Sequence, residues 1–450
     1  MNSMTREKIY KYRRYPHIDP KVHWREVYRA VESPAYVVKH GFYPFIHYTQ
    51  ESTKFPKAYL SGAEDQRDTP KRREIMYSCH MDRYIYEYYS YLLNQEYNKR
   101  VKTDGIGKCA VAYRNNLHKS NIHIAKEAFD AIRRNGDAYI LIGDFTGYFD
   151  NMAHVHLKNM LCSLLQVQRL PDDHYAVFKS ITKYAYIDLD SIKAYRQMNR
   201  KQFYALDRLF SPEEFRSFKK NVIQKNVHDY GIPQGSAISA VYSNVYLLDF
   251  DKSMNDYITA QRGFYRRYCD DFIAVFPCVS LDQFVEQTKK IQGFVKETPN
   301  LILQPEKAKA FHYCSGHIEN CSSSVFEGCK SGKNLINFLG FSFDGISISI
   351  RQKTISKFYR RMYKKADTIT AHNGLSPNGK RIPMRNIYKL YSKYGKKEDN
   401  HPGVLSHKKQ GNFLSYVDRA KKVFYSEEAI TRDTRRAWEK LLKRLHPKHK

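Results

Sequence analysis

Cysteine is scarce, with 8 in 450 residues, and no two of them form a CxxC pair. A disulfide scaffold is thereby excluded, and the thiols are expected to be reduced. The densest group, Cys314, Cys321 and Cys329 in HYCSGHIENCSSSVFEGC, matches no standard zinc spacing. Long apolar runs are also missing. AYILI (Ala138 to Ile142) is typical of the longest, far below the run of about 20 that a membrane-spanning helix needs. The first residues, MNSMTREKIYKYRRYP, hold no apolar segment of the kind a secretory signal requires. A cytoplasmic protein with no membrane partner is the expectation. Repeats and low-complexity tracts are absent too. Acidic residues fall well short of basic ones, 46 against 76, for a net charge of +30.

What is present follows from that imbalance. A large positive excess points to a polyanion, either nucleic acid or an anionic membrane surface. The 37 tyrosines favour nucleic acid, because aromatic faces among cations suit stacking on bases. Plain basic solubility is the alternative. Hydrophobic content of 42% and aromatic content of 14% argue for a folded chain with a large core in two or three subdomains.

Along the chain, AEDQRDTPKRRE (Ala63 to Glu74) reads as a charged loop. In the segment from Met81 to Asn98, Tyr84, Tyr88, Tyr91 and Leu92 recur at helical spacing. SNIHIAKEAFDAIRRNG predicts an amphipathic helix with Ser120 or Asn121 as cap and Gly136 as stop. DAYILIGDF then reads as a buried strand running into an acid. Residues from about 171 to 226 look like a helical insertion. GIPQGSAIS is a glycine-proline turn opening a helix, and a second helix is expected from Leu281 to Lys296. NFLGFSFDGISISI predicts paired strands about Asp344 and Gly345. Beyond Gln352 the chain turns basic and helical. Ile355, Phe358, Met362 and Ile369 face one way there, and Arg360, Arg361, Lys364 and Lys365 another. A Gly/Pro/Lys-rich connection of about residues 371 to 411 precedes a last helical region.

The chemistry centres on carboxylates. FYRRYCDDFIAVF sets Asp270 and Asp271 in a tight turn between two β-prone runs, which solubility alone could explain. Asp144, just past a buried strand far upstream, needs a stronger reason, since a buried carboxylate without a compensating cation is costly. If the two strands share a sheet, the carboxylates converge on a hard divalent cation such as Mg²⁺. Two such ions could flank an in-line phosphoryl displacement.

The ordered set GDFTGYFDN, GIPQGSAIS, YCDDF, LQPEKAK and NFLGF resembles the sequence blocks of reverse transcriptases. The likeness is to the bacterial branch that holds group II intron enzymes, retrons and defence-associated enzymes. It spans about residues 70 to 345, with a thumb-like part to about 430. The resemblance implies an α+β right-hand polymerase fold: fingers, a palm of antiparallel sheet backed by helices, and a helical thumb. It divides the chain into 1–137 (N-terminal region and fingers), 138–348 (palm, with the insertion) and 349–450 (basic thumb and C-terminal region). It implies that Asp144 and Asp270 are the principal ligands of two Mg²⁺ ions (Mn²⁺ as a substitute), with Asp271 completing the cluster. Phe149 would exclude a ribose 2′-hydroxyl and so select dNTPs; ordinary core packing is its alternative. Gln234 and Gly235 would position template and incoming nucleotide, and Tyr268 would lie near the primer end. Lys307 would clamp the departing pyrophosphate, or else be a solvated lysine. In RREIMYSCHMDR, Arg73 stands where the family's finger block carries a triphosphate-binding arginine, with Arg72 as rival and Ser78 in place of the usual proline. Arg360, Arg361, Lys364 and Lys365 would hold the template–primer backbone.

Departures narrow the branch. Ser239-Ala240 matches neither the intron and retron pattern nor that of diversity-generating enzymes, and no VTG triplet is present. Roughly 100 residues follow NFLGF, too few for a sizeable nuclease domain. The expectation is an RNA-directed DNA polymerase that makes cDNA from an associated structured non-coding RNA, in bacterial antiphage defence. A retroelement enzyme, and an RNA-binding scaffold without activity, are the alternatives. The sequence leaves open the oligomeric state and whether a nucleic-acid end or a tyrosine hydroxyl primes synthesis.

Overall fold

The computed structural model of the chain describes residues 1–52, 71–304, 308–330, 332–372, 374–375, 379, 381, 384–392 and 411–446. Within them the strands are, in chain order, β1 (Phe45–Ser52), β2 (Lys71–Tyr77), β3 (Asp137–Asp144), β4 (Ala185–Asp188), β5 (Gln224–Lys225), β6 (Phe264–Tyr268), β7 (Asp271–Pro277), β8 (Lys309–Cys314), β9 (His317–Asn320), β10 (Ile336–Phe338), β11 (Phe341–Phe343) and β12 (Ile348–Ile350). The chain divides into two compact units. One holds Met1–Arg114, Phe145–Asp256 and Ile291–Leu303; the other holds Asn115–Asp144, Tyr257–Lys290 and Gln304–Lys450.

The second unit is built on a five-stranded sheet of order β6-β7-β3-β8-β9, antiparallel throughout. Its central strands bury side chains on both faces; Phe272 to Phe276 are five successive buried residues of β7. The Asn121–Asn135 helix covers the sheet with Ile124, Ala128, Phe129 and Ile132. Its ends fall where the sequence put them. Ser120 and His123 form the N-terminal capping box, and Gly136 ends the helix at φ 69°, a conformation glycine adopts without a Cβ penalty. The β11–β12 turn is as expected, with Asp344 Oδ1 accepting the backbone N–H groups of Ile346 and Ser347. The Gln352–Ala371 helix buries Ile355, Phe358, Met362 and Ile369, the predicted stripe. It packs against the Ala437–Leu445 helix.

The first unit carries a four-stranded sheet of order β2-β1-β4-β5, with β1 antiparallel to β2 and parallel to β4. The charged loop expected over Ala63 to Glu74 therefore gives way to strand from Lys71, and its earlier part lies outside the described residues. The 171–226 segment is more than a group of helices. It supplies β4 and β5, and its Ile187, Ile192, Phe203, Phe210 and Phe215 share a core with Ile18 and Ile46.

The helix expected over Met81 to Asn98 runs His80–Thr103, but its buried face differs from the predicted one. Tyr84, Tyr86, Tyr89, Leu93 and Tyr97 are buried, whereas Tyr88, Tyr91 and Leu92 are half-buried. The helix is packed over most of its circumference, so no single stripe marks its inner face. These tyrosines are core rather than base-stacking surface. The first turn is capped from far upstream: both Asp19 carboxylate oxygens accept helix N–H groups, of His80 and Met81, each at 2.9 Å. Asp82, just inside the helix, accepts from the Tyr43 N–H at 2.9 Å and pairs with His40 at 2.6 Å.

One buried carboxylate ties the C-terminal helices of the second unit to its sheets. Glu427 accepts from Arg133 Nη1 at 2.6 Å and from the Ile348 N–H at 2.9 Å. Truncating it strands a buried amide and a guanidinium together. Glu427→Ala is expected to lower the unfolding free energy by roughly 2–3 kcal/mol, read from denaturant titration. A loss within 0.5 kcal/mol would mean that the tie is replaced by solvent.

Candidate active site

In the second unit the carboxylates are brought together by register. β3 and β7 run antiparallel with Ala138 opposite Pro277 and, six pairs on, Asp144 directly opposite Asp271. Asp270 precedes Asp271 in the turn that joins β6 to β7, where Tyr268 pairs with Asp271. Cys269 and Asp270 are thus the whole of a two-residue hairpin loop. Cys269 occupies φ 61°, a region that costs a side-chain-bearing residue energy and that tends to persist where function demands it. All three aspartates are half-buried.

Beneath this turn lies a residue the sequence reading passed over. Arg267 is fully buried, the largest such side chain among the described residues, and its Nη1 donates to the Cys269 carbonyl at 2.8 Å. A cation out of water is tolerated only where its donors are engaged. This one grips the backbone of the aspartate turn from below.

The first unit presents a second group. Gln234 and Gly235 form the turn ahead of the Ala237–Tyr246 helix. The Gln234 carbonyl accepts the Met76 N–H at 2.8 Å, and the Gln234 side-chain amide donates to Asp150 Oδ1 at 3.3 Å. Gly235 has φ 121°, and a Cβ there would overlap the Met76 carbonyl oxygen. Only glycine permits so close a docking of the turn on β2. Residues 149–153 run beside residues 230–232 through the Ile232 N–H to Phe149 O and Gly231 N–H to Met152 O bonds, both 2.9 Å. Phe149 is therefore fixed by its backbone while its ring stays half-exposed, rather than sunk in the core.

The same strand separates the two candidate arginines. Side chains two apart share a strand face. Arg72 lies on the face of Glu74 and pairs with Glu51 at 3.1 Å. Arg73 lies on the face of Ile75, whose Cγ2 is 3.6 Å from the position of a Gly235 Cβ. Arg73 is exposed and shares the face of β2 that meets the Gln234–Gly235 turn.

On the Gln352–Ala371 helix, Arg360, Arg361 and Lys364 are exposed, whereas Lys365, three residues after Met362 and four before Ile369, flanks the buried stripe and is half-buried, so it does not share their outward face. Lys307 lies outside the described residues.

The donor set at the sheet end suits a hard cation. Mg²⁺ takes one or two carboxylates and completes its shell with water and substrate phosphates, and Asp144, Asp270 and Asp271 offer only such oxygens. Among the described residues, one group of three metal-competent side chains has its ligand atoms within 4.8 Å of each other, and it is elsewhere: His17, Asp19 and Cys79. Those atoms are otherwise employed. Asp19 caps the helix, His17 Nδ1 accepts the Ile18 N–H, and its other nitrogen faces the Tyr77 carbonyl. Burial holds His17 neutral, with its pKa lowered to about 3, and keeps the Cys79 thiol protonated. No ligand role is assigned to that group.

Residues 133–343 match the family described as reverse transcriptase (RNA-dependent DNA polymerase). The chain carries a reverse transcriptase domain. Its bounds enclose Asp144, Phe149, Gln234, Gly235, Tyr268, Asp270, Asp271 and Lys307, while Arg73 and the four basic residues of the Gln352–Ala371 helix fall outside. Reverse transcriptase domains use divalent metal ions, in keeping with the carboxylate end of the sheet. The α+β polymerase fold expected from the sequence is the fold observed. Similar solved structures include apo telomerase from Candida tropicalis lacking its C-terminal domain, at 13% identity and TM-score 0.39, over 63% of this chain and 53% of that one. Telomerase from Candida albicans in complex with a fragment of telomeric RNA is similar at 12% identity and TM-score 0.36, over 94% and 67%. The chain thus spans about half the length of the first of these telomerases. No curated protein matches it. Among the described residues, no helix is long and apolar enough to cross a membrane.

Two substitutions probe how the reverse transcriptase domain holds its site. Arg267→Met should cost roughly 3 kcal/mol in denaturant titration and speed hydrogen exchange at the Cys269–Asp270 turn; unchanged exchange there would count against the grip. Gly235→Ala should cost roughly 1–3 kcal/mol and speed exchange of the Met76 amide, the proton that the turn accepts.

Proposed function

We propose that the chain is an RNA-directed DNA polymerase that copies an associated structured non-coding RNA into cDNA, in bacterial antiphage defence. The observation that carries the polymerase reading is the pairing of Asp144 with Asp271, with Asp270 beside them in the turn. The defence role rests on the sequence departures from the intron, retron and diversity-generating patterns.

In this reading a primer 3′-hydroxyl attacks the α-phosphate of a dNTP. One phosphorus–oxygen bond forms, and the bond to pyrophosphate breaks. Asp144 and Asp270 would hold two Mg²⁺ ions, with Asp271 completing the acidic set. When bound, the ions would lower the pKa of the attacking hydroxyl and offset charge on the leaving group. The chain's own residues do the positioning. Arg73 would grip the triphosphate with its planar fork, a role its strand face favours over Arg72. The Gln234–Gly235 turn would let the nucleotide approach the backbone, and Asp150 orients the Gln234 amide. The Phe149 ring, half-exposed and held by its backbone, would exclude a 2′-hydroxyl. Tyr268 would lie by the primer end, and Lys307 would meet the departing pyrophosphate. Arg360, Arg361, Lys364 and Lys365 would neutralise backbone phosphates of the hybrid. In these terms the fingers lie within residues 1–137, the palm within 138–348 and the thumb beyond.

The test is dNTP incorporation on RNA that co-purifies from the native host. Asp270→Ala with Asp271→Ala should abolish synthesis while leaving RNA binding near wild type. Retained synthesis would sink the assignment. Phe149→Ala should raise incorporation of rNTPs relative to dNTPs, and an unchanged ratio would return Phe149 to a packing role. Incorporation by wild type with no distinct co-purifying RNA would keep the polymerase and remove the dedicated template.

A further inference from the structure

Within the second unit, a pocket of about 620 Å³ lies between the Gln352–Ala371 helix and the segment from Arg432 to Lys440. Its walls combine two kinds of chemistry. Tyr359 and Tyr363, one helical turn apart, bring neighbouring rings, 5.7 Å between centroids and inclined by 34°. Arg432, Arg435, Arg436 and Lys440 bring four cations from the opposite wall. One carboxylate lines the same space, Asp433, and it is already occupied: it accepts from Gln352 Nε2 at 2.7 Å and lies 3.6 Å from Arg432 Nε.

The arrangement is held in place. The Tyr359 hydroxyl donates to the Asp433 carbonyl, and burial pushes its pKa up to about 12. The ring is thus fixed and neutral at any physiological pH. Lys440 Nζ lies 4.6 Å from its centroid. By contrast, the arginines opposite are weakly committed: Arg435 has only a 3.9 Å approach to Glu428, and both side chains of that pair are largely exposed. Arg436 has no ion pair among the described residues. These are guanidiniums without strong internal partners, facing a Tyr359 ring held by its hydroxyl and a neighbouring Tyr363 ring whose centroid lies 5.8 Å from Arg444 Cζ.

We propose that this pocket binds a nucleotide unit of single-stranded nucleic acid, its phosphate between Arg435, Arg436 and Lys440 and its base against the tyrosines. The volume is of the order found for ligand pockets, about 300–1,000 Å³. A phosphate suits guanidinium forks, which meet its oxygens two at a time. The aromatic wall decides for a single strand. In a duplex the base faces are stacked on each other, and a protein surface meets only backbone and base edges. An unpaired base can leave the stack and enter a recess to lie on a ring. The pocket is distinct from the face of Arg360, Arg361 and Lys364, which occupies other positions of the same helix. It would hold an unpaired segment of a bound nucleic acid, and the inference does not depend on polymerase activity.

The experiment uses the full chain and measures binding alone. Fluorescein-labelled single-stranded 12-nucleotide RNA and a matched RNA–DNA hybrid are titrated by anisotropy over a salt series. The proteins are wild type, Arg436→Gln, and Arg435→Gln/Arg436→Gln/Lys440→Gln, with melting temperature recorded for each. The triple variant is expected to bind the single strand about tenfold more weakly, with the salt slope reduced by roughly two, and the hybrid within twofold of wild type. Arg436→Gln, which removes one exposed cation, should show part of the same loss with an unchanged melting temperature. Unchanged single-strand affinity in both variants would overturn the proposal. An equal loss for single strand and hybrid would reduce the pocket to general backbone charge and overturn it as well. Displacement of the RNA from wild type by free dATP at equal phosphate concentration would assign the pocket to a free nucleotide instead. The same titration on the Asp270→Ala/Asp271→Ala protein separates this inference from the catalytic one, since binding there should match wild type whether or not wild type makes DNA.

Discussion

The candidate catalytic centre depends on one ladder of backbone hydrogen bonds. β3 and β7 pair so that Asp144 stands opposite Asp271. A slip of one residue would turn every side chain of one strand to the other face of the sheet and separate the carboxylates. Burial on both faces of β7 makes such a slip prohibitive, because Phe272 to Phe276 would all have to find new neighbours. The core and the chemistry are therefore specified by the same pairing, and the acids sit where the apolar strand ends. The fully buried Arg267 adds a second constraint, since the turn that carries Asp270 is bonded to it from beneath.

In the other unit, an analogous economy operates through backbone contacts. The Gln234–Gly235 turn docks on β2 through the Met76 amide, and the turn segment beside residues 230–232 carries Phe149. Three sequence-distant segments are fixed by main-chain bonds, while Arg73, Phe149 and Gln234 keep side chains at least partly exposed to solvent. Rigid backbone with accessible side chains is what a nucleotide site requires.

Much of this was legible in the sequence, and the failures are instructive. The β3 strand, the hairpin with its aspartates and the helix from Asn121 to Asn135 have strong local signals: apolar runs, a cap and a glycine stop. The register that unites Asp144 with Asp271 is a long-range property, reached through resemblance rather than pattern. FYRRY reads as a β-prone run, and Arg267 within it drew no separate reading. Alternation from buried Tyr265 would have turned Arg267 inward. The tyrosine-rich helix misled in the other direction, since a helix covered nearly all round has no stripe to read. The short β4 and β5 lay hidden in an insertion with helical signals, and the pairing of β4 with β1 came from tertiary contact. The cations of the C-terminal pocket lie far from Tyr359 in sequence, so only folding brings them to one space.

The cap on the His80–Thr103 helix has a consequence for the order in which the protein takes shape on the ribosome. Asp19 is made before the helix it caps. When those helical amides emerge, their acceptors are already in the nascent chain, so the helix that anchors the first unit can be completed early. Asp144 has no such provision. Its partner strand is still unmade when it emerges, and more than half of the protein's length must leave the tunnel before β7 arrives. The helix can thus be capped as it emerges, whereas the acidic cluster forms only when the strand it awaits has been synthesised.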